Sequence, residues 1–149
     1  MNSRAPAAAR TGSGEAMQPG RFTTHDSRTL VLDVKNEQGG QLVKQLNHAG
    51  FKTDLAVSWG AAHAALKANC YQSCIVVADL DQPAALERLD ELRRAAVHVW
   101  IILLNERQPE NARVRALRHC VDAMLSAPFS MADLTSRLAA FSLRARPAY

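Results

Sequence analysis

Two carboxylates in this chain stand where a protein could put them to use. Asp79 follows the run Ser73-Cys74-Ile75-Val76-Val77-Ala78, and Asp33 follows Thr29-Leu30-Val31-Leu32. Runs that are apolar on both faces and rich in β-branched residues are the pattern of buried strands in a parallel sheet. A carboxylate emerging at the carboxyl end of such a strand lies where open α/β sheets collect ligands and chemistry. Asp79 therefore reads as the centre of a site rather than as a solvated strand end. Asp33 fits either reading equally, and Asp81, in the polar stretch before Pro83, reads as loop polarity. Lys35 could set its ammonium against the acidic groups, but reads more simply as a surface lysine.

Other chemistries are poorly supplied. His25, His48, His63, His98 and His119 form no metal-ligand spacing, and none accompanies a Cys or Ser in a nucleophile motif. Gly39-Gly40 is not the G-x-G-x-x-G of a dinucleotide site. Cys70, Cys74 and Cys120 are odd in number and lack a paired C-x-x-C, which fits reduced thiols in a cytoplasmic protein. The net charge of +4 is too diffuse, and aromatics at 5% too few, for a nucleic-acid stripe with stacking residues. The longest apolar run, 99–104, is far short of the roughly 20 residues a membrane helix needs.

The elements that would position Asp33 and Asp79 follow in order. Residues 1–27, rich in Ala, Gly, Ser, Pro and Arg, are expected to form a disordered tail. The ordered unit spans 28–146, with a short tail at 147–149. After the first strand, Leu42, Val43 and Leu46 mark a helix closed by Gly50; the Gly39-Gly40 pair suggests that it starts only at Gln41. A second strand over 52–57 leads to a small helix over 60–68 capped by Ser58. The Asp79 strand follows, then a helix carrying Leu86, Leu89 and Leu92. The fourth strand, 98–104, is the most apolar. Pro109 opens a helix with Val114, Leu117 and Val121 inward, and 122–125 forms a short fifth strand. Ser130 and Asp133 form a capping box for a last helix carrying Leu134, Leu138 and Phe141 and ending near Arg146. Five strand–helix units without interruption require a parallel sheet covered on both faces.

This pattern resembles the receiver domain of response regulators. Asp33 precedes Gly50-Phe51 at the family's spacing, and Asp79 precedes Pro83 as the phosphoacceptor precedes its loop proline. Val121-Asp122-Ala123-Met124-Leu125 is similar to the family's fifth-strand motif, and Ala127-Pro128-Phe129-Ser130 to its Lys-Pro-Phe-Ser. The resemblance implies a flavodoxin-like (βα)5 three-layer sandwich around a five-stranded parallel sheet, an acidic pocket of Asp33, Asp79 and Asp81, and Asp79 as phosphoacceptor. It also implies that Asp33, Asp79 and the main-chain carbonyl of Asp81 would hold Mg²⁺.

The departures point to an atypical receiver. Val34 stands where a second acidic ligand is expected. Asn105, or Leu104 if the loop shifts by one residue, takes the place of the Thr/Ser switch, and Ala127 that of the lysine that would pair with an acyl phosphate. Mg²⁺ is therefore expected to bind weakly and not to be required. The expected role is a non-enzymatic interaction module in a two-component-type system, working without normal phosphorylation switching. A conventional phosphoacceptor and a flavodoxin-like small-molecule binder are the alternatives; the loop Lys35-Asn36-Glu37-Gln38 lacks the Ser/Thr of a phosphate cradle. By resemblance, the fourth helix, fifth strand and last helix would form the partner or homodimer face, around Arg113, Arg118, Met124 and Arg137. The partner would be a kinase, transcription regulator or other signalling protein.

Overall fold

The computed structural model describes residues 28–79, 84–105, 120–126, 128–143 and 146. Five strands, β1 (Arg28–Asp33), β2 (Lys52–Ala56), β3 (Ser73–Val77), β4 (Trp100–Asn105) and β5 (Ala123–Ser126), form one sheet in the order β2-β1-β3-β4-β5. Every pairing is parallel. The described helices are α1 (Gly39–His48), α2 (Trp59–Ala68), α3 (Ala85–Ala95) and α4 (Met131–Ser142). The helix expected from Pro109 lies outside the described residues, as do both expected tails.

Alternation along the three inner strands builds two cores. Leu30, Leu32, Cys74, Val76, Ile101 and Leu103 point to one face, where Ala62 of α2 and Leu89 and Leu92 of α3 cover them. Val31, Ile75, Ile102 and Leu104 point to the other, beneath Leu42 and Leu46 of α1 and Leu134 and Leu138 of α4. A strand buried on both faces has no wet side, which is why these runs are continuously apolar. The sheet order reverses between β1 and β3: β2 lies beyond β1, and β4 and β5 lie beyond β3. Asp33 ends β1, and Asp79 lies just beyond the end of β3 at Val77, at this switch point, where the loops diverge and leave a crevice.

Three element ends differ from the sequence reading by about two residues or more. Helix α1 begins at Gly39, two residues earlier than its glycines suggested, because a carboxylate from β1 supplies the cap. Helix α4 ends at Ser142, with Leu143 as its C-cap, rather than near Arg146, which turns back to an ion pair described below. β4 begins at Trp100 rather than His98. The other ends agree to within about one residue, and the expected caps form: Ser58 Oγ accepts from Ala61 N, Ser130 Oγ accepts from Asp133 N, and Gly50 takes a φ of 102° beyond α1. All three cysteines are free thiols, with Cys70 exposed and Cys74 and Cys120 buried.

Candidate functional site

Asp33 turns inward. It is 1% exposed, and its carboxylate accepts four backbone N–H groups. Asn36 N donates to Oδ1 at 3.2 Å, and Glu37, Gln38 and Gly39 N donate to Oδ2 at 3.1, 2.9 and 2.8 Å. The N-cap residue Gln38 makes no side-chain capping bond, so the strand carboxylate satisfies the amides that would otherwise be orphaned. Its charge also lies at the positive end of the helix dipole. The close approach requires glycine. A Cβ on Gly39 would stand 2.6 Å from Leu55 Cδ1 and 2.9 Å from Asp33 Cβ. Asn36 makes the turn possible by taking a left-handed φ of 57°, which asparagine tolerates better than most residues.

Asp79 turns outward and has a partner. Lys35 Nζ donates to Asp79 Oδ2 at 2.8 Å, the lysine side chain 57% and the aspartate 26% exposed. The ion pair thus bridges the loops after β1 and β3 across the switch point. This corrects the reading of Lys35 as a plain surface lysine. Forty-four residues separate the two in sequence, and only the pairing of β1 with β3 brings them together. Beside the pair opens a cleft of about 480 Å³ lined by Val34, Lys35, Trp59, Val77, Ala78, Asp79, Ala84, Ala85 and Arg88. It continues the core on the α2–α3 face, so its described walls are largely apolar, and among the described residues its charges come from Lys35, Asp79 and Arg88.

The remaining residues read from the sequence are dispersed. Asn105 ends β4 opposite Ser126. Met124 is half-buried on β5 against the α2–α3 core, and Arg137 is exposed on α4. Asp81, Arg113, Arg118 and Ala127 lie outside the described residues. Among the described residues, no three of His, Cys, Asp and Glu converge as metal ligands, and no helix is long and apolar enough to cross a membrane.

Two further polar clusters lie away from the switch point. Asp122 precedes β5 and receives Arg93 Nη2 at 2.6 Å, Arg146 Nε at 2.8 Å and Ile101 N at 2.8 Å. Arg93 also donates to the carbonyls of Cys120, Ala96 and Val99. Burial lowers the Arg93 pKa, with the Asp122 carboxylate opposing that shift. At the sheet edge, Tyr71 donates its hydroxyl to Asp54 at 2.6 Å, and the Arg28 guanidinium pairs with Asp54 and lies 5.0 Å from the Tyr71 ring centre. Burial, and then the Asp54 bond, push the Tyr71 phenol up to about 12, while the bond from Tyr71 leads in holding Asp54 below the usual carboxylate range. Both clusters tie the edges and outer segments of the described fold together through hydrogen bonds within the chain.

Residues 20–139, most of the chain, match the VpsR domain family. The chain belongs to that family. The VpsR domain of this chain has the fold of response-regulator receivers. A Francisella response regulator's receiver domain superposes with a TM-score of 0.65 at 21% identity, covering 78% of this chain and 96% of that one. An orphan response regulator of H. pylori gives a TM-score of 0.67 at 21% identity, over 80% and 98% of the two chains. The non-phosphorylated HemR receiver domain from Leptospira biflexa gives 0.66 at 17%, over 83% and 99%. In sequence, the VpsR domain is 29% identical over 117 residues to the transcriptional regulatory protein QseB of Haemophilus influenzae, covering 78% of this chain. It spans 53% of that protein's length.

Proposed function

We propose that this VpsR domain is an atypical receiver that regulates a partner protein in two-component-type signalling, with Asp79 held by Lys35 instead of being switched through Mg²⁺-dependent phosphorylation. The observation that carries this reading is the 2.8 Å ion pair between Lys35 and Asp79. A carboxylate that already shares its charge with an ammonium has its charge balanced without a metal ion. A Mg²⁺ ion prefers octahedral oxygen ligands. Of the donors described here, Asp33 is committed to four backbone amides and Val34 offers none. That donor set fits a divalent cation poorly.

The domain then works by presenting a surface whose shape the ion pair stabilises. The side formed by β5 and α4, with Met124 and Arg137, is the partner or self-association surface in this reading; Arg113 and Arg118, outside the described residues, are assigned to it from the sequence alone. Asn105 and Ala127 occupy positions that no longer report phosphorylation. The relative named as a transcriptional regulatory protein suggests a cytoplasmic partner concerned with transcription. No enzymatic step is assigned to the chain.

Incubation with a small acyl phosphate, with and without Mg²⁺, tests this. The expected result is no labelling of the wild type and unchanged partner binding in Asp79→Ala. Mg²⁺-dependent labelling that disappears in Asp79→Ala would overturn the reading in favour of a conventional phosphoacceptor.

A further inference from the structure

The cleft at the switch point has features that neither the ion pair nor the fold requires. Its volume, about 480 Å³, lies within the roughly 300–1,000 Å³ of small-molecule sites. One wall is the half-buried Trp59 at the start of α2; Val34, Val77, Ala78, Ala84 and Ala85 supply further apolar surface. A planar ring gains most from such a wall, because an indole offers a flat, polarizable face. The cations are near the mouth. Lys35 is 57% exposed, and Arg88 is 54% exposed with only a 4.0 Å contact to Glu91. An exposed pair that long holds its side chain weakly, so Arg88 can turn to a ligand at little cost. Ala84, the N-cap of α3, and Ala85 line the cleft, so the positive end of that helix borders the same space.

We infer that this cleft binds a small amphipathic anion, a planar aromatic carboxylate or sulfonate, with its ring against Trp59 and its charged group between Lys35 and Arg88. Among the described residues Asp79 is the one carboxylate lining the cleft, and it already engages Lys35. The incoming anion therefore competes with Asp79 for the same ammonium, and binding loosens the Lys35–Asp79 bridge. By linkage, whatever weakens that bridge strengthens the ligand, and the reverse. The site would couple a metabolite-sized anion to the strand end that conventional receivers couple to a phosphoryl group. The inference rests on the cleft and its cations and does not need Asp79 to be refractory to phosphorylation.

The chain carries its own reporter. It has two tryptophans, and Trp100 is buried and stacked on Phe141 with ring centres 4.5 Å apart. In a Trp100→Phe background, Trp59 alone reports, and 1-anilinonaphthalene-8-sulfonate is the probe. Saturable quenching of Trp59 is expected, with affinity reduced about tenfold in Lys35→Ala and in Arg88→Ala, the size of one lost charge-assisted bond. Lys35→Arg should restore most of it, and Asp79→Ala should tighten binding severalfold by removing the competitor. Naphthalene, which has the ring but no charge, should bind at least about tenfold more weakly by the same reasoning. Unfolding curves of each variant separate loss of the site from loss of the fold. Absence of saturable quenching overturns the inference, as does equal affinity for naphthalene, or indifference to both cation substitutions in folded variants. Sedimentation showing Trp59 covered by a second copy of the chain would overturn it too. Labelling of Asp79 by an acyl phosphate would leave it standing while removing the proposal of a phosphate-independent switch.

Discussion

At the scale of single residues, Asp33 and Asp79 show how one type of side chain at equivalent strand ends is put to opposite uses. Asp33 is spent on structure, its oxygens filled by the amides of 36–39. Replacing it by asparagine keeps the shape but turns half of the acceptor into a donor facing N–H groups. We expect Asp33→Asn to cost about 2–3 kcal/mol in urea unfolding, in the range of losing charge-assisted bonds and leaving buried amides unpaired. Asp79 and Lys35 are half-exposed to exposed, so Lys35→Ala should cost less than about 1 kcal/mol while altering partner or ligand binding. Tyr71 gives a pH test. Its folded pKa of about 12 lies above the ordinary 10, so its contribution is complete below pH 10 and is lost as pH rises toward 12. Asp54, shifted down, contributes above its ordinary 3.8 and loses that contribution as pH falls through its lowered value. Tyr71→Phe should reduce the alkaline loss, leaving the part due to the buried Cys74 thiol, which burial also pushes up to about 12, and should flatten the acid one, as unfolding midpoints measured across both ranges will show.

At the scale of elements, the ends of the strands and helices are held by side chains from far along the chain, and this is where sequence reading fell short. Helix propensity argued against a start at Gly39, because glycine costs roughly 1 kcal/mol in a helix interior. It could not weigh the carboxylate of β1 waiting above that turn, nor Leu55 and Asp33 pressing so close that only a hydrogen fits. The apolar spacing of Leu134, Leu138 and Phe141 likewise carried the last helix on toward Arg146, whereas Asp122 draws that arginine into an ion pair. The Arg93–Asp122–Arg146 cluster ties the end of α3, the entry to β5 and the segment after α4 to one carboxylate. Arg93 sits among three carbonyls in a buried setting. Asp122→Ala would leave that guanidinium without its anion and should destabilise by about 3–5 kcal/mol, the usual cost of breaking a buried pair. Arg146→Ala, at the more open side, should cost about 1–2 kcal/mol. A double-mutant cycle in urea measures how far the two share one energy.

At the scale of the whole molecule, the sheet was legible and the site only half so. Thr29–Leu32, Ser73–Val77 and Trp100–Leu104 announce themselves because strands covered on both faces have no polar side to confuse the pattern. Asp79 was legible for the same reason, as the first polar residue after a buried run. Its bond to Lys35 was not, because nothing local distinguishes that lysine from any other on a loop; the contact exists only once β1 lies beside β3. The sheet order also predicts how stability is distributed. β3 is hydrogen-bonded on both sides and contributes Cys74, Ile75 and Val76, all fully buried, while β4 contributes four apolar residues with at most 1% exposed. β2 is an edge strand with Lys52 and Leu55 exposed, and β5 is an edge strand of four residues. Opening an edge exposes one ladder and little core, whereas opening β3 requires both cores to separate. Amides of β3 and β4 should therefore exchange with deuterium only through global unfolding, at the free energy measured in urea. Amides of β2 and β5 should exchange several kcal/mol sooner, by local opening. If Lys35 and Asp79 clasp the switch point, Lys35→Ala should hasten exchange in the loops after β1 and β3 and leave the amides of β4 unchanged. Uniform acceleration across all five strands would show instead that the pair supports the fold as a whole.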